Sequence, residues 1–88
     1  MLSKKQIDEV IKIVAGLNPE AIYPTGHKKA IAGYVETAQR GVVFAIDVET
    51  IIKKLVDEGM KRDEAVEFFD YNIIGTRSEY EPVYIFRF

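Results

Sequence analysis

Five consecutive residues near the end of the first third of the chain have the types best suited to binding an anion: Thr25, Gly26, His27, Lys28 and Lys29. The two lysines supply positive charge, the histidine is the single one in the chain, and the threonine supplies a hydroxyl. Backbone N–H groups at a glycine turn can also bind a phosphate or a carboxylate. The segment is therefore a candidate ligand-binding site. A solvated basic turn is the alternative, because clustered charge usually marks exposed surface.

A second candidate is Asn72, which interrupts the apolar run from Phe68 to Gly75. Helical periodicity predicts that it shares the buried face of its helix, because the core stripe comprises Ala65, Phe68, Phe69, Asn72 and Ile73. An unpaired buried amide costs about 1–3 kcal/mol, so we expect Asn72 to have hydrogen-bonding partners. Backbone groups of the following loop or of a hairpin are the expected partners, and a ligand in a cleft between helix and sheet is the alternative. Tyr71 and Arg77, which flank Asn72, complete the set of ligand-binding candidates.

Catalytic chemistry has little support in the sequence. The chain has no cysteine, so it offers no thiolate nucleophile and no cysteine-based zinc site. It also contains neither of the two glycine-rich phosphate-binding motifs, GxxxxGK(S/T) and GxGxxG. Asp63, Glu67 and Asp70 are spaced i, i+4, i+7, so their carboxylates share one helix face and could in principle act in acid–base catalysis or bind a divalent cation. That face flanks the core stripe, where solvated charge is expected. We therefore predict a protein that is not an enzyme and that needs no metal or cofactor.

Charge and hydropathy narrow the class of partner. With 12 basic and 14 acidic residues among 88, the chain carries a net charge of −2, so a nucleic acid is not the expected partner. No window approaches the roughly 18 apolar residues of a membrane-spanning helix, and we expect a cytoplasmic protein without a membrane partner. A single domain of this size buries a small core, and a homodimer is an open alternative.

The elements that must position these residues follow from periodicity and from capping residues. Helices are predicted at Ser3 to about Ala15, at Val48 to Glu58 and at about Arg62 to Ile74, with strands at Ala30 to Thr37, Gly41 to Asp47 and Pro82 to Phe88. Capping predictions are a Ser3–Gln6 capping box, Asp47 as an N-cap, Gly16, Gly59 and Gly75 as C-caps, and one helical turn at Asn18 to Glu20.

Together these elements predict one α+β domain spanning residues 1–88. A small three-stranded antiparallel sheet has its helices packed on one face, in the order α-β-β-α-α-β. The core face of the second strand comprises Val42, Phe44 and Ile46, and Gly33 indicates a bulge or a close backbone approach in the first. The position of the last strand, beside the first or the second, is open.

The segments AIYPTGHKKAIAGY and DEAVEFFDYNIIG resemble a family of small phage- and prophage-encoded proteins of unknown function. The similarity covers about Ala21 to Ile85, and its most specific part is the EAxEFFxYNxxG helix. The chain departs from the family pattern at His27, Lys28 and Lys29, where relatives tend to be acidic, and in its loop from Thr76 to Tyr80. An anion site at the lysines would therefore be particular to this protein.

The resemblance implies a small phage-type accessory protein acting in the host cytoplasm. Surplus aromatic residues suit protein recognition, where a few aromatic and arginine anchors dominate, so the first hypothesis is a non-enzymatic module that binds a host protein. The second is a module that binds or sequesters a nucleotide or another small anion, with a tyrosine stacked on the base. A carboxylate-dependent enzyme ranks last.

Overall fold

A computed structural model describes residues 2–73 and 80–87. Three helices and three strands follow one another as α1 (Lys4–Leu17), β1 (Ile31–Thr37), β2 (Gly41–Asp47), α2 (Val48–Asp57), α3 (Arg62–Asn72) and β3 (Val83–Ile85), with a 3₁₀ turn at Lys28–Ala30 before β1. The α+β class and the order α-β-β-α-α-β predicted from the sequence are confirmed.

The sheet has the order β1-β2-β3, so the last strand lies beside the second. β1 and β2 form the predicted antiparallel hairpin, and the predicted bulge is present, because the register shifts between Ile31 and Gly33. β3 is parallel to β2, which makes the sheet mixed and corrects the prediction of a fully antiparallel one. Two helices separate these strands, and a helical crossover of this kind permits parallel pairing.

One hydrophobic cluster joins all three helices to one face of the sheet. It contains Ile7 and Val14 of α1, the apolar stripe of α2, Ala65 and Phe69 of α3, and Phe44 and Ile46 of β2. Val42 packs against it from a half-buried position, so the predicted core face of β2 is confirmed. Val43 and Ala45 alternate with these residues and lie on the opposite face, yet they are also buried. The central strand is therefore buried on both faces.

Two helix ends follow the predicted capping chemistry. The Ser3 side chain accepts from the Gln6 backbone N–H at 3.2 Å, and the Gln6 side chain accepts from the Ser3 N–H at 2.8 Å, which confirms the capping box. Gly59 has a φ of 111°, and the Met60 N–H donates to the Leu55 carbonyl at 3.1 Å, which closes α2 as a Schellman motif.

Two capping predictions in α1 are wrong. The helix continues through Gly16 to Leu17 and has Asn18 as its C-cap. Residues 19–20 form a non-helical turn, so the helical turn predicted at Asn18 to Glu20 is absent. The reason is that Asn18 is held from both sides: its N–H donates to the Val14 carbonyl, and its side chain reaches the Val42 carbonyl of β2. Tertiary contact thus extends the helix past its glycine.

The last two elements are shorter than predicted. α3 ends at Asn72, and the predicted cap Gly75 lies outside the described residues. β3 covers Val83–Ile85 of the predicted Pro82 to Phe88, and Phe86 packs its ring against Phe69 at a centroid distance of 6.2 Å instead of pairing as a strand. Among the described residues, no helix is both long and apolar enough to cross a membrane.

Candidate functional site

Four of the five residues in the basic turn line one cleft, which we call the lysine cleft. It lies between the start of α1, the 3₁₀ turn and α2, and has a volume of about 630 Å³. Gly26, His27, Lys28 and Lys29 line it from the turn. Lys4 and Lys54 line it from α1 and α2. Its floor is aliphatic and comprises Leu2, Ile7, Ala30 and Ile51.

The four lysines of the cleft differ in how far they are already engaged. Lys28 forms an ion pair with Asp8 at 2.8 Å, and this hydrogen bond lowers the pKa of Asp8 and raises that of Lys28. Lys54 donates to the Gly26 carbonyl and so ties α2 to the turn. Lys4 and Lys29 form no ion pair within residues 2–73 and 80–87. These two ammonium groups therefore have the most capacity for an external anion.

The turn itself offers less to an anion than the sequence predicts. Gly26 takes the expected left-handed conformation, with a φ of 83°. However, the His27 N–H donates to the Pro24 carbonyl at 3.0 Å, which removes one donor of the expected backbone nest. The short 3₁₀ turn then directs Lys28 and Lys29 to the cleft. Side-chain charge, rather than the backbone, is what this site presents.

His27 lies between the lysine cleft and a second cleft, and it lines both. Burial lowers the pKa of its imidazole, and the positive charge of Lys54 lowers it further against the opposing effect of Glu58. The lowered pKa favours the neutral form of the ring at pH 7. Its Nδ1 is buried and has no hydrogen-bond partner among the described residues. A buried nitrogen without a hydrogen-bond partner is energetically unfavourable.

The second cleft, which we call the Asn72 cleft, has a volume of about 430 Å³. It lies between α3 and the segment before the 3₁₀ turn, and it contains Thr25, the remaining residue of the basic turn. Asn72, Glu81 and Tyr84 add polar groups to its wall. Burial, followed by the charge of Glu81, raises the pKa of the Tyr84 hydroxyl, which therefore remains a proton donor.

Asn72 does not lie on the buried face of α3, and that prediction is wrong. Asn72 and Phe68 are exposed, whereas Ala65 and Phe69 are buried. Around the helix Phe68 is about 100° from Phe69 and Asn72 is about 60° from it. Asn72 is also the last residue of α3, so the packing of Phe69 against Tyr84 at 5.4 Å covers neither residue. The Asn72 amide donates to the Phe68 carbonyl of its own helix at 3.2 Å. Most of the following loop, which was one of the expected partners, lies outside the described residues.

The structure separates the remaining candidates. Tyr71 is 80% exposed and lines neither cleft, and Arg77 lies outside the described residues. The carboxylates of Asp63, Glu67 and Asp70 are exposed and also line neither cleft. In the described parts of the chain, no group of three or more His, Asp or Glu side chains could hold a metal ion.

Sequence reasoning missed Lys4, Lys54 and the aliphatic floor. Lys54 follows Ile51 by three residues, so both belong to one edge of the apolar stripe of α2. That spacing is a signal that a lysine stem flanks the core. No local pattern indicates that the start of α1 meets this edge of α2, because the contact depends on the tertiary fold.

We compared the chain with models of protein families, with curated proteins and with solved structures, and none of the three comparisons finds a match.

Proposed function

We propose that the protein is a non-enzymatic binding module and that its lysine cleft takes a small anionic ligand. The observation that carries this proposal is the segregation of charge. The whole chain has a net charge of −2, yet four lysines line this cleft, and among the described carboxylates only Asp8 forms an ion pair with one of them, Lys28. Ammonium groups around a concave apolar floor are suited to fixing the anionic end of a ligand.

The compartment and origin are part of the same proposal and depend on the resemblance alone. The segment from Glu64 to Gly75 and the turn at Gly26 resemble phage- and prophage-encoded proteins. On that basis we propose an accessory protein that acts in the cytoplasm of a host cell. The lysines, which depart from the family pattern, give this chain its own ligand.

A thermal-shift series with phosphate, acetate and citrate tests the proposal. A ligand that binds only the native state at 100 times its dissociation constant adds about 2.7 kcal/mol to the free energy of unfolding. Phosphate and other kosmotropic anions also stabilise proteins without a site, so the wild type is compared with the double variant Lys4→Ala plus Lys29→Ala. We expect a saturable rise in melting temperature that the variant loses. Equal shifts in both proteins for every anion would refute the proposal.

A second candidate function is recognition of a host protein through α3. Phe68 and Tyr71 are three residues apart, so they lie on one helix face, and both are exposed. Exposed aromatic side chains are the common anchors of protein interfaces. In a pull-down from host lysate, the double variant Phe68→Ala plus Tyr71→Ala should lose a stoichiometric partner that Leu17→Ala retains. Leu17 is equally apolar and is exposed at the far end of α1.

A further inference from the structure

The floor of the lysine cleft is aliphatic. Ile7, Ala30 and Ile51 are buried members of the core cluster, and Leu2 packs against that cluster from a half-buried position. Leu2 is therefore the floor residue whose side chain is most available to a ligand. It lies just ahead of α1, beside the capping residue Ser3.

The walls add more hydrocarbon. Lysine side chains bury their methylene stems along apolar surface while the ammonium group stays in water. Lys4, Lys29 and Lys54 rise from three different elements around the floor. This arrangement gives a cleft that is apolar at its base and positive at its rim. A ligand that matches it has an apolar body and one anionic end.

The nature of the apolar body follows from which side chains are missing. No Phe or Tyr lines the lysine cleft within the described residues, and its single ring is the imidazole of His27. Tyr23 and Tyr84 line the Asn72 cleft instead. Nucleobases are usually bound by stacking on aromatic rings, so the tyrosine stacking expected for a nucleotide is not available here.

We infer that the lysine cleft binds a single aliphatic chain with one anionic headgroup, a carboxylate or a phosphate, and not a nucleotide. This inference rests on the proposed function, because it names the class of ligand for the same site. The hydrocarbon chain of the ligand lies on Leu2 and the neighbouring floor. Its anionic headgroup contacts Lys4 and Lys29 at the rim of the cleft. The volume of about 630 Å³ is within the range of roughly 300–1,000 Å³ for small-molecule sites.

Titration of the ¹⁵N-labelled full chain, followed by amide chemical shifts, tests this ligand class. The probes are decanoate, decyl phosphate, decanol, acetate, inorganic phosphate and adenosine monophosphate, with the decyl amphiphiles kept below their micelle concentrations. We expect decanoate and decyl phosphate to bind at least about tenfold more tightly than acetate or phosphate, since each buried methylene contributes about 0.8 kcal/mol. They should also bind at least about tenfold more tightly than decanol, which has the same alkyl chain but no negative charge to meet the lysines. Adenosine monophosphate should bind no better than inorganic phosphate.

Two leucine variants distinguish the contribution of the ligand's hydrocarbon chain to binding from that of its anionic headgroup. Leu2→Ala should weaken decanoate binding several-fold and leave acetate binding unchanged, whereas Leu17→Ala, at the exposed far end of α1, should change neither. If acetate and phosphate bind as tightly as the decyl probes, the aliphatic inference is wrong and the anion site stands. If no probe binds, the aliphatic inference and the proposed anion-binding function are both wrong.

A membrane surface presents the same chemistry, and vesicles distinguish it. We expect no sedimentation of the protein with phosphatidylglycerol vesicles under conditions where decanoate saturates the cleft. Sedimentation that Lys4→Ala plus Lys29→Ala abolishes, without binding of monomeric decanoate, would overturn the inference of a free ligand.

Discussion

The guanidinium group of Arg87 holds the carboxylate of Asp47 through two hydrogen bonds of 2.8 Å each. Asp47 is the last residue of β2 and precedes α2, and Arg87 lies two residues beyond β3. The Thr50 hydroxyl donates to the same carboxylate at 2.6 Å. Burial alone would raise the pKa of Asp47, but the bonds from Thr50 and Arg87 outweigh it and lower that pKa below its ordinary value. The pair therefore fixes the short parallel strand to the centre of the fold.

Replacing Arg87 with methionine should destabilise the protein by about 1–3 kcal/mol at pH 7, because a largely buried carboxylate loses its charged partner. The lowered pKa means that this contribution is present above the unfolded pKa of about 3.9 and is lost as the pH falls through the folded value. Urea unfolding at pH 7 and pH 3 measures both effects. The control is Arg62→Met, whose partner Glu49 is more exposed, and it should leave the unfolding midpoint almost unchanged. Equal losses in the two variants would contradict the account.

His27 should make the protein less stable in mild acid. Its folded pKa is lowered, so the unfolded chain binds more protons once the pH falls below about 6.5, and the free energy of unfolding decreases from that pH downwards. His27→Gln removes the titration. We expect the variant to lose less stability than the wild type between pH 7 and pH 5 in urea unfolding. Parallel curves over this range would show that His27 titrates normally.

Phe69 and Phe68 should differ sharply although they are adjacent. Phe69 is 1% exposed and contacts the rings of Tyr84 and Phe86, whereas Phe68 is 38% exposed. Phe69→Ala should cost about 3–5 kcal/mol, and Phe68→Ala at most about half as much. Chemical unfolding of both variants decides the order, and the reverse order would mean that α3 packs through its other face.

Asn18 should matter more to stability than Asn72. The half-buried Asn18 amide donates to the Val42 carbonyl at 2.8 Å and joins the end of α1 to β2. Asn18→Ala should cost about 1 kcal/mol. Asn72→Ala should change stability by less than about 0.5 kcal/mol, because its bond lies on the exposed surface of its own helix. A large loss in Asn72→Ala alone would restore the sequence-based prediction of a buried amide.

Local patterns predicted the elements of this fold well. The capping box at Ser3, the C-cap at Gly59 and the hairpin of β1 and β2 depend on residues that are close together in the sequence. Local sequence patterns are therefore sufficient to predict them. The exposure of Asn72 could not be predicted from the local sequence pattern. Periodicity gives the direction of a side chain, but the width of the buried stripe is set by what packs against it. The direction of β3 likewise depended on a crossover that no single segment encodes.

The candidate site was predicted in part. The basic turn was recognisable because Gly26 and the adjacent lysines are consecutive. Lys4, Lys54 and the floor at Leu2 were not, because the fold brings them to the turn from distant segments. The charge of the turn was thus visible in the sequence, and the apolar cleft beneath it was not.

The central claim is that the cleft lysines bind an anion as a built site and not through general charge. The most direct measurement is the affinity for decanoate and for inorganic phosphate, by amide chemical-shift titration, in two double variants. Lys4→Ala plus Lys29→Ala removes two positive charges from the cleft. Lys5→Ala plus Lys53→Ala removes two charges from adjacent exposed positions on α1 and α2 that do not line it.

Both variants have the same net charge, so any difference between them reports the site. We predict that the cleft variant binds both anions at least about tenfold more weakly than the wild type, while the matched variant stays within about twofold. Equal affinities in the two variants, whether weakened or unchanged, would contradict the claim.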